Sequence, residues 1–202
     1  VVMESGSLFG TFLQHFVAEM YVSGASLLSG KLGQKAFSGK LSLRDDMNPA
    51  THPGVCFFDY EGCVAPDLRP TLIDKGTLTG LLTTKKSAEQ FGLQNLGTAA
   101  AAYDGVPSLG FHRFYVDPTA SSLAELAPGR AIYMAMASGG DTTLDGHFAT
   151  PVQLAYLMED GKLVGRLPDL TVSGSFYDML GKDFLGAVHG QPQPDSLLCA
   201  VT

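Results

Sequence analysis

Apolar positions recur at helical spacing first and at strand spacing afterwards. From Leu8 to Tyr21 the chain reads "LFGTFLQHFVAEMY", with Leu8, Phe9, Phe12, Leu13, Phe16, Val17 and Met20 at intervals of one, three and four. A period of 3.6 gathers these into one wide apolar stripe, so the spacing predicts a helix. Ser7 can cap its start and Gly24 can end it. A weaker helical stretch follows from Leu27 to Phe37, interrupted by Gly30 and Gly33. Beyond it the runs become short. "KLSLRDD", "GVCFFDY", "TLTGLLT", "FHRFYVD", "RAIYMAMAS", "FATPVQLAYLM" and "LVGRLPDLTVSG" are β-rich and bounded by turn residues. "SSLAEL" carries Ser122 and Glu125 at capping-box spacing and stops at Pro128-Gly129, and "SFYDMLGKDFLG" is the closing helix. Helices sit mostly at the ends and strands fill the middle. The expected fold is α+β, with a largely antiparallel β-sheet core, an N-terminal helix and a few short helices.

One phrase is written twice. "LIDKGTLTGLL" (Leu72 to Leu82) and "LMEDGKLVGRL" (Leu157 to Leu167) share leucines and glycines at the same places, with an acidic third residue in both. Asp74 to Gly76 and Asp160 to Lys162 are turn signals, because Asp tolerates turn conformations and Gly accepts positive φ. Two β-hairpins with the same turn explain the echo. The glycines after each turn leave one face bare, as where another backbone comes close.

Totals narrow the choices. The 202 residues suit one domain, 45% hydrophobic and 16% charged, with ample material for a core. The net charge is −7 and no stretch concentrates Lys and Arg, so the footprint of nucleic-acid binding is missing. Nothing reaches the roughly 18 apolar residues of a membrane span. "VVMESGSLFG" has no signal-peptide pattern, and the abrupt start at Val1 reads like part of a longer protein. Three cysteines, Cys56, Cys63 and Cys199, point to a reducing compartment, with Cys56 and Cys63 read as buried strand thiols.

The ordered motifs resemble the C-terminal domain of the TldD/PmbA family. They are Asp59-Tyr60-Glu61-Gly62, then "TLIDKGTLTGLLTTKKSAEQFGLQNLG", then "GGDTTLDGHFATPVQLAYLMEDGKLVG", then "LTVSGSFYDMLGKDF". The likeness covers nearly the whole chain, read as a single such domain over 1–202, and the family's N-terminal domain is absent from it. The resemblance implies a cytoplasmic peptidase system. TldD-like members are zinc metallopeptidases acting on unfolded peptides, and PmbA-like members, also called TldE, are their partners and lack the metal site. The two pair as a heterodimer. The family's older label is "modulator of DNA gyrase".

The family's zinc site needs H-E-x-x-x-H on the first helix. Two imidazoles one turn apart hold the ion and the Glu activates a metal-bound water. Aligned by the preceding "VVMESG", those three positions fall on Leu13, Gln14 and Ala18, none of which can ligate zinc or take a proton at neutral pH. His15 and Glu19, four apart, are the substitute metal candidates, alongside the reading of a helix-surface pair. Further ligands would have to come from His189, His147 or Cys199, while His52 and His112 read as structural. No G-x-S-x-G elbow or P-loop is present, and Ser138-Gly139-Gly140-Asp141 is not followed by a helix. That stretch is either a backbone strand that a peptide joins by β-augmentation or a wide turn between strands.

Three readings follow. The first is a non-catalytic PmbA-like component that shapes a peptide groove, needs no cofactor, and partners a TldD-like catalytic subunit or a second copy of itself. The second is a metal-dependent peptidase with a rearranged zinc site at His15 and Glu19. The third is an unrelated β-rich binding domain.

Overall fold

The computed structural model describes residues 1–111, 113–189 and 197–202. His112 therefore lies outside the described residues. In chain order the elements are β1 (Val2–Glu4), α1 (Ser5–Gly10), α2 (Ala18–Val22), β2 (Leu43–Asp45), β3 (Thr71–Asp74), β4 (Thr77–Leu78), α3 (Lys85–Phe91), β5 (Ala99–Ala100), β6 (Ser108–Leu109), β7 (Phe114–Val116), α4 (Leu123–Leu126), β8 (Arg130–Ala137), β9 (Asp141–Thr142), β10 (His147–Glu159), β11 (Lys162–Arg166), β12 (Leu170–Ser175), α5 (Phe176–Leu180), β13 (Phe184–His189) and β14 (Leu197–Val201). Short helices beside sheets of mostly antiparallel pairing make this an α+β fold. The chain forms two compact units. One comprises 1–11, 36–41 and 116–202, and the other 12–35 and 42–115.

The first unit is built on a sheet ordered β11-β10-β8-β1-β14-β13, with β12 and β9 also paired to β10. All its pairings are antiparallel except β1 on β8. Strand β10 runs 13 residues and organises the sheet. One core cluster joins Val2, Met158, Val188, Leu198 and Ala200 with Leu126 and Ala127 at the end of α4. Phe9 of α1 and Phe176 of α5 are fully buried, and Phe37 meets Phe176 edge-on at 5.7 Å. Burying side chains of this size contributes about 1.5–3 kcal/mol each. Ser122 caps α4 by accepting the Glu125 N–H. The Glu125 carboxylate, however, takes the Ser121 N–H rather than closing a box on Ser122.

The second unit holds a sheet ordered β4-β3-β2-β7 and the small hairpin β5–β6. Phe12, Phe16, Leu28, Leu43, Leu72, Ile73, Leu78 and Leu82 are buried. Thr84 caps α3 through a capping box with Ser87, and Gly92 ends it in the left-handed conformation. The Leu27–Phe37 stretch is not a helix. It is a series of turns, because Gly30 and Gly33 sit at φ +76 and +80.

The continuous helix expected over Leu8–Tyr21 is also corrected. Its residues are divided among α1, a 3-10 turn at Leu13–Phe16 and α2. Val17 is extended at φ −68 and ψ 127 and bridges Leu82. Leu82 donates to Phe16 O at 2.8 Å and Ala18 donates to Leu82 O at 3.1 Å. These tertiary bonds take the place of helical ones around a β-branched residue. The apolar period correctly marked Phe9, Phe12 and Phe16 as buried, but not the path of the backbone between them. The start differs too: the helix begins at Ser5 after Glu4, not at a Ser7 cap. Gly24 does end α2, at φ +81.

The twin phrases form twin hairpins. Lys75-Gly76 joins β3 to β4 and Asp160-Gly161 joins β10 to β11. The φ values are +45 and +83 in the first and +45 and +79 in the second, the paired left-handed signature of a type I′ turn. The later glycines differ. A Cβ on Gly80 would stand 2.4 Å from Thr71 O, the expected close approach, whereas one on Gly165 would meet nothing within 4 Å.

Candidate functional site

The segment expected as the strand "GVCFFDY" is a loop, folded around one carboxylate. Asp59 is buried, and its Oδ1 accepts the N–H groups of Glu61 (2.9 Å) and Cys63 (2.8 Å). Its Oδ2 accepts the N–H of Ala99 at 3.1 Å, pinning the loop to β5. Glu61 reaches α3: its Oε2 takes the Lys85 N–H at 2.7 Å and its carbonyl takes Lys85 Nζ at 2.6 Å. The Asp59, Glu61 and Cys63 donor atoms lie within 4.8 Å of one another. Each is already engaged, Cys63 by Asn95 Nδ2 at 3.2 Å. Burial, reinforced by the Asp59 charge, pushes the Cys63 thiol up, which keeps it protonated. The loop presents Phe57, Phe58, Tyr60 and Val64 to solvent. Cys56 is exposed and Cys63 half-buried, so neither is the buried strand thiol expected. Asp59 appeared in sequence only as part of a motif. Its role as a clamp depends on Ala99, far along the chain.

The positions matching the zinc motif carry no zinc chemistry. Leu13 and Gln14 lie in the 3-10 turn and Ala18 is fully buried at the start of α2. An alkyl group, an amide and a methyl offer no imidazole or carboxylate, so the residues present do not fit the metal at this place. The substitute pair is also arranged differently from expectation. His15 belongs to the 3-10 turn and Glu19 to α2, with extended Val17 between them, so they do not share one helix face. His15 is buried, its Nδ1 accepts the Leu27 N–H at 3.3 Å, and burial pushes its imidazole below the ordinary value. Glu19 is exposed.

The other proposed ligands are spread through the first unit. Cys199 is fully buried on β14 and burial pushes its thiol up to about 12, so it carries no thiolate at neutral pH. His147 opens β10, largely exposed, with Nε2 3.8 Å from Asp145. His189 ends β13 and lines a shallow cleft of about 320 Å³ with Ser121, Ser122 and Lys162. In the second unit His52 has the structural place expected of it, with Nε2 3.1 Å from the buried Asp46.

Ser138-Gly139-Gly140-Asp141 links β8 to β9, and both strands pair with β10. Gly139 and Gly140 take φ +74 and +97. A Cβ on Gly140 would stand 2.4 Å from Ala149 O. Side chains of β10 fix the bulge. Gln153 Nε2 donates to Ser138 O at 3.1 Å and Oγ at 2.8 Å, and Thr150 Oγ1 donates to Gly139 O at 3.0 Å. On the opposite side, β1 pairs with β8 only at Tyr133 and Met134. From Ala135 to Thr142, among the described residues, no strand lies against the outer edge. Most of that run is exposed, including 55% of Met136.

The α+β fold and the two matching hairpins are what the sequence motifs implied; the aspartate-clamped loop is added by the structure. Residues 3–187 match the family described as PmbA/TldA metallopeptidase C-terminal domain, and the chain belongs to that family. It is 27% identical over 176 residues to a protein of Methanothermobacter thermautotrophicus named "Metalloprotease", covering 83% of this chain and 38% of that one. It is 25% identical over 165 residues to a "Zinc metalloprotease TldD homolog" of Saccharolobus solfataricus, covering 76% and 37%. The crystal structure of TldE from Thermococcus kodakarensis shares the fold, with a TM-score of 0.77 at 22% identity over 100% of this chain and 48% of that one. The chain thus spans less than half the length of these relatives. The family match and the twin hairpins rule out the reading of an unrelated β-rich domain. No described helix is long and apolar enough to cross a membrane.

Proposed function

We propose that this chain is the non-catalytic, PmbA-like component of a cytoplasmic TldD/PmbA-type peptidase system. It helps form the groove that holds an unfolded peptide for proteolysis or maturation, and a TldD-like catalytic subunit or a second copy completes the assembly. The observation that carries the reading is the donor set: with the chain aligned on "VVMESG", the positions of the family's zinc ligands and general base fall on Leu13, Gln14 and Ala18, which offer no such donors. The open edge from Ala135 to Thr142 supports the groove, because an extended peptide can add there as a strand. The acidic charge of −7 argues against contact with nucleic acid.

The competing reading, a metal-dependent peptidase using His15 and Glu19, draws on the relatives named metalloproteases. Metal content separates the two. Elemental analysis after dialysis against trace zinc is expected to find no stoichiometric metal. About one zinc per chain, lost in His15→Ala, would sink the non-catalytic reading.

A further inference from the structure

The open edge lies in the net-acidic unit of the molecule. Its unit has five Lys or Arg against eleven Asp or Glu, a net −6 of the chain's −7. Two of those acids stand at the ends of the edge. Val2 pairs with Tyr133 and Met3 with Met134 in parallel, so Glu4 ends β1 near the start of the open run. Glu4 is exposed, and its charge adds to burial in holding the Tyr133 phenol above its ordinary value. At the far end Asp141, also exposed, opens β9. From Ala135 to Asp141 is six residue steps, at most roughly 20 Å at about 3.3 Å each, and shorter for the bulge at Gly139 and Gly140. The residues between carry no charge.

The cations of this unit stand elsewhere. Arg130 pairs with Glu159 at 2.9 Å, Lys182 with Asp178 at 3.1 Å, and Lys40 donates to Leu185 O. Lys162 and Arg166 lie on β11, on the other side of β10 from β8. Nothing basic among the described residues of the unit therefore offsets Glu4 and Asp141 along this edge.

We infer that the Ala135–Thr142 edge selects basic extended peptides, those carrying Lys or Arg about six residues apart, through Glu4 and Asp141. The inference rests on the groove reading above. Backbone pairing supplies sequence-independent affinity, and the two carboxylates attract cationic side chains and repel anionic ones.

The test uses three synthetic seven-residue peptides with a common Val/Thr centre and Lys, Ser or Glu at both ends, each labelled for fluorescence anisotropy. At low salt the Lys peptide is expected to bind about tenfold more tightly than the Ser peptide, and the Glu peptide more weakly than either. Raising the salt to shorten the Debye length should shrink that preference. Glu4→Gln with Asp141→Asn should abolish it. Asp104→Asn with Asp169→Asn removes the same charge elsewhere and should keep it. Equal binding of all three peptides, or a preference that survives in the Glu4/Asp141 variant, overturns the inference but leaves the groove. Binding by none of them overturns the groove itself and the inference with it. Backbone N-methylation of the Lys peptide should weaken binding, and undiminished binding would overturn strand addition.

Discussion

The Arg69 guanidinium holds the Asp46 carboxylate with two arms, Nε to Oδ1 and a terminal nitrogen to Oδ2, each at 3.2 Å. Asp46 is fully buried, Thr51 and His52 approach the same carboxylate, and Arg69 lies 5.1 Å from the centre of the Tyr115 ring. Breaking such a pair leaves an uncompensated buried charge. Arg69→Met should therefore cost about 3–5 kcal/mol of stability, read as a lower urea midpoint.

The same carboxylate sets an acid limit. Burial alone would raise its pKa. The Arg69 hydrogen bonds, the Asn48 N–H and the Arg69 and His52 charges together outweigh burial and hold it below the ordinary value. A depressed folded pKa means the stabilisation is complete above the unfolded carboxylate pKa, near 4, and is lost as pH falls through the lower folded one. Urea midpoints measured from pH 7 down to pH 2.5 should fall across that window. In Asp46→Asn the part of the fall due to this group should be missing, on top of a lower midpoint throughout.

Asp59→Ala should remove the shared acceptor of three N–H groups. Leaving them unsatisfied is expected to cost about 3 kcal/mol. Hydrogen exchange should quicken at Glu61, Cys63 and Ala99 before it does in β10. Unchanged protection at Ala99 would contradict the clamp.

The two glycines of the second hairpin should differ in tolerance. Gly161 sits at φ +79 and its Cβ would fall 2.8 Å from Ala124 N, so Gly161→Ala should destabilise by more than about 1 kcal/mol. Gly165 has ordinary φ and open space, so Gly165→Ala should stay within about 0.5 kcal/mol of the parent. Thermal unfolding of the two variants side by side checks both.

Thiol labelling should be equally uneven. Cys56 is exposed, Cys63 half-buried with a raised pKa, and Cys199 buried with a thiol near 12. A thiol reagent at pH 7.5 should modify Cys56 quickly, Cys63 slowly and Cys199 only on unfolding.

What the sequence made legible was what its neighbours decide. Lys75-Gly76 and Asp160-Gly161 form their turns from local backbone preference, and Ser122 caps α4 from three residues away. The path at Val17 was illegible because Leu82 decides it. Asp59 could be quoted as a motif but not recognised as a clamp, since its third donor is 40 residues distant. That Leu13, Gln14 and Ala18 offer no zinc donor was readable from their chemistry alone. The open edge was not, because it exists only where β1 ends short of β8.

Strand β1 has a consequence for the order of assembly. It lies between β8 and β14, with Val2 opposite Tyr133 on one side and Ala200 on the other. Its residues leave the ribosome before nearly all of the described chain, yet cannot be enclosed until β14 has emerged. The unit ending at Tyr115 can complete its own core in the meantime. The first strand of this sheet thus waits for its last, so the larger sheet closes only once β14 has been made.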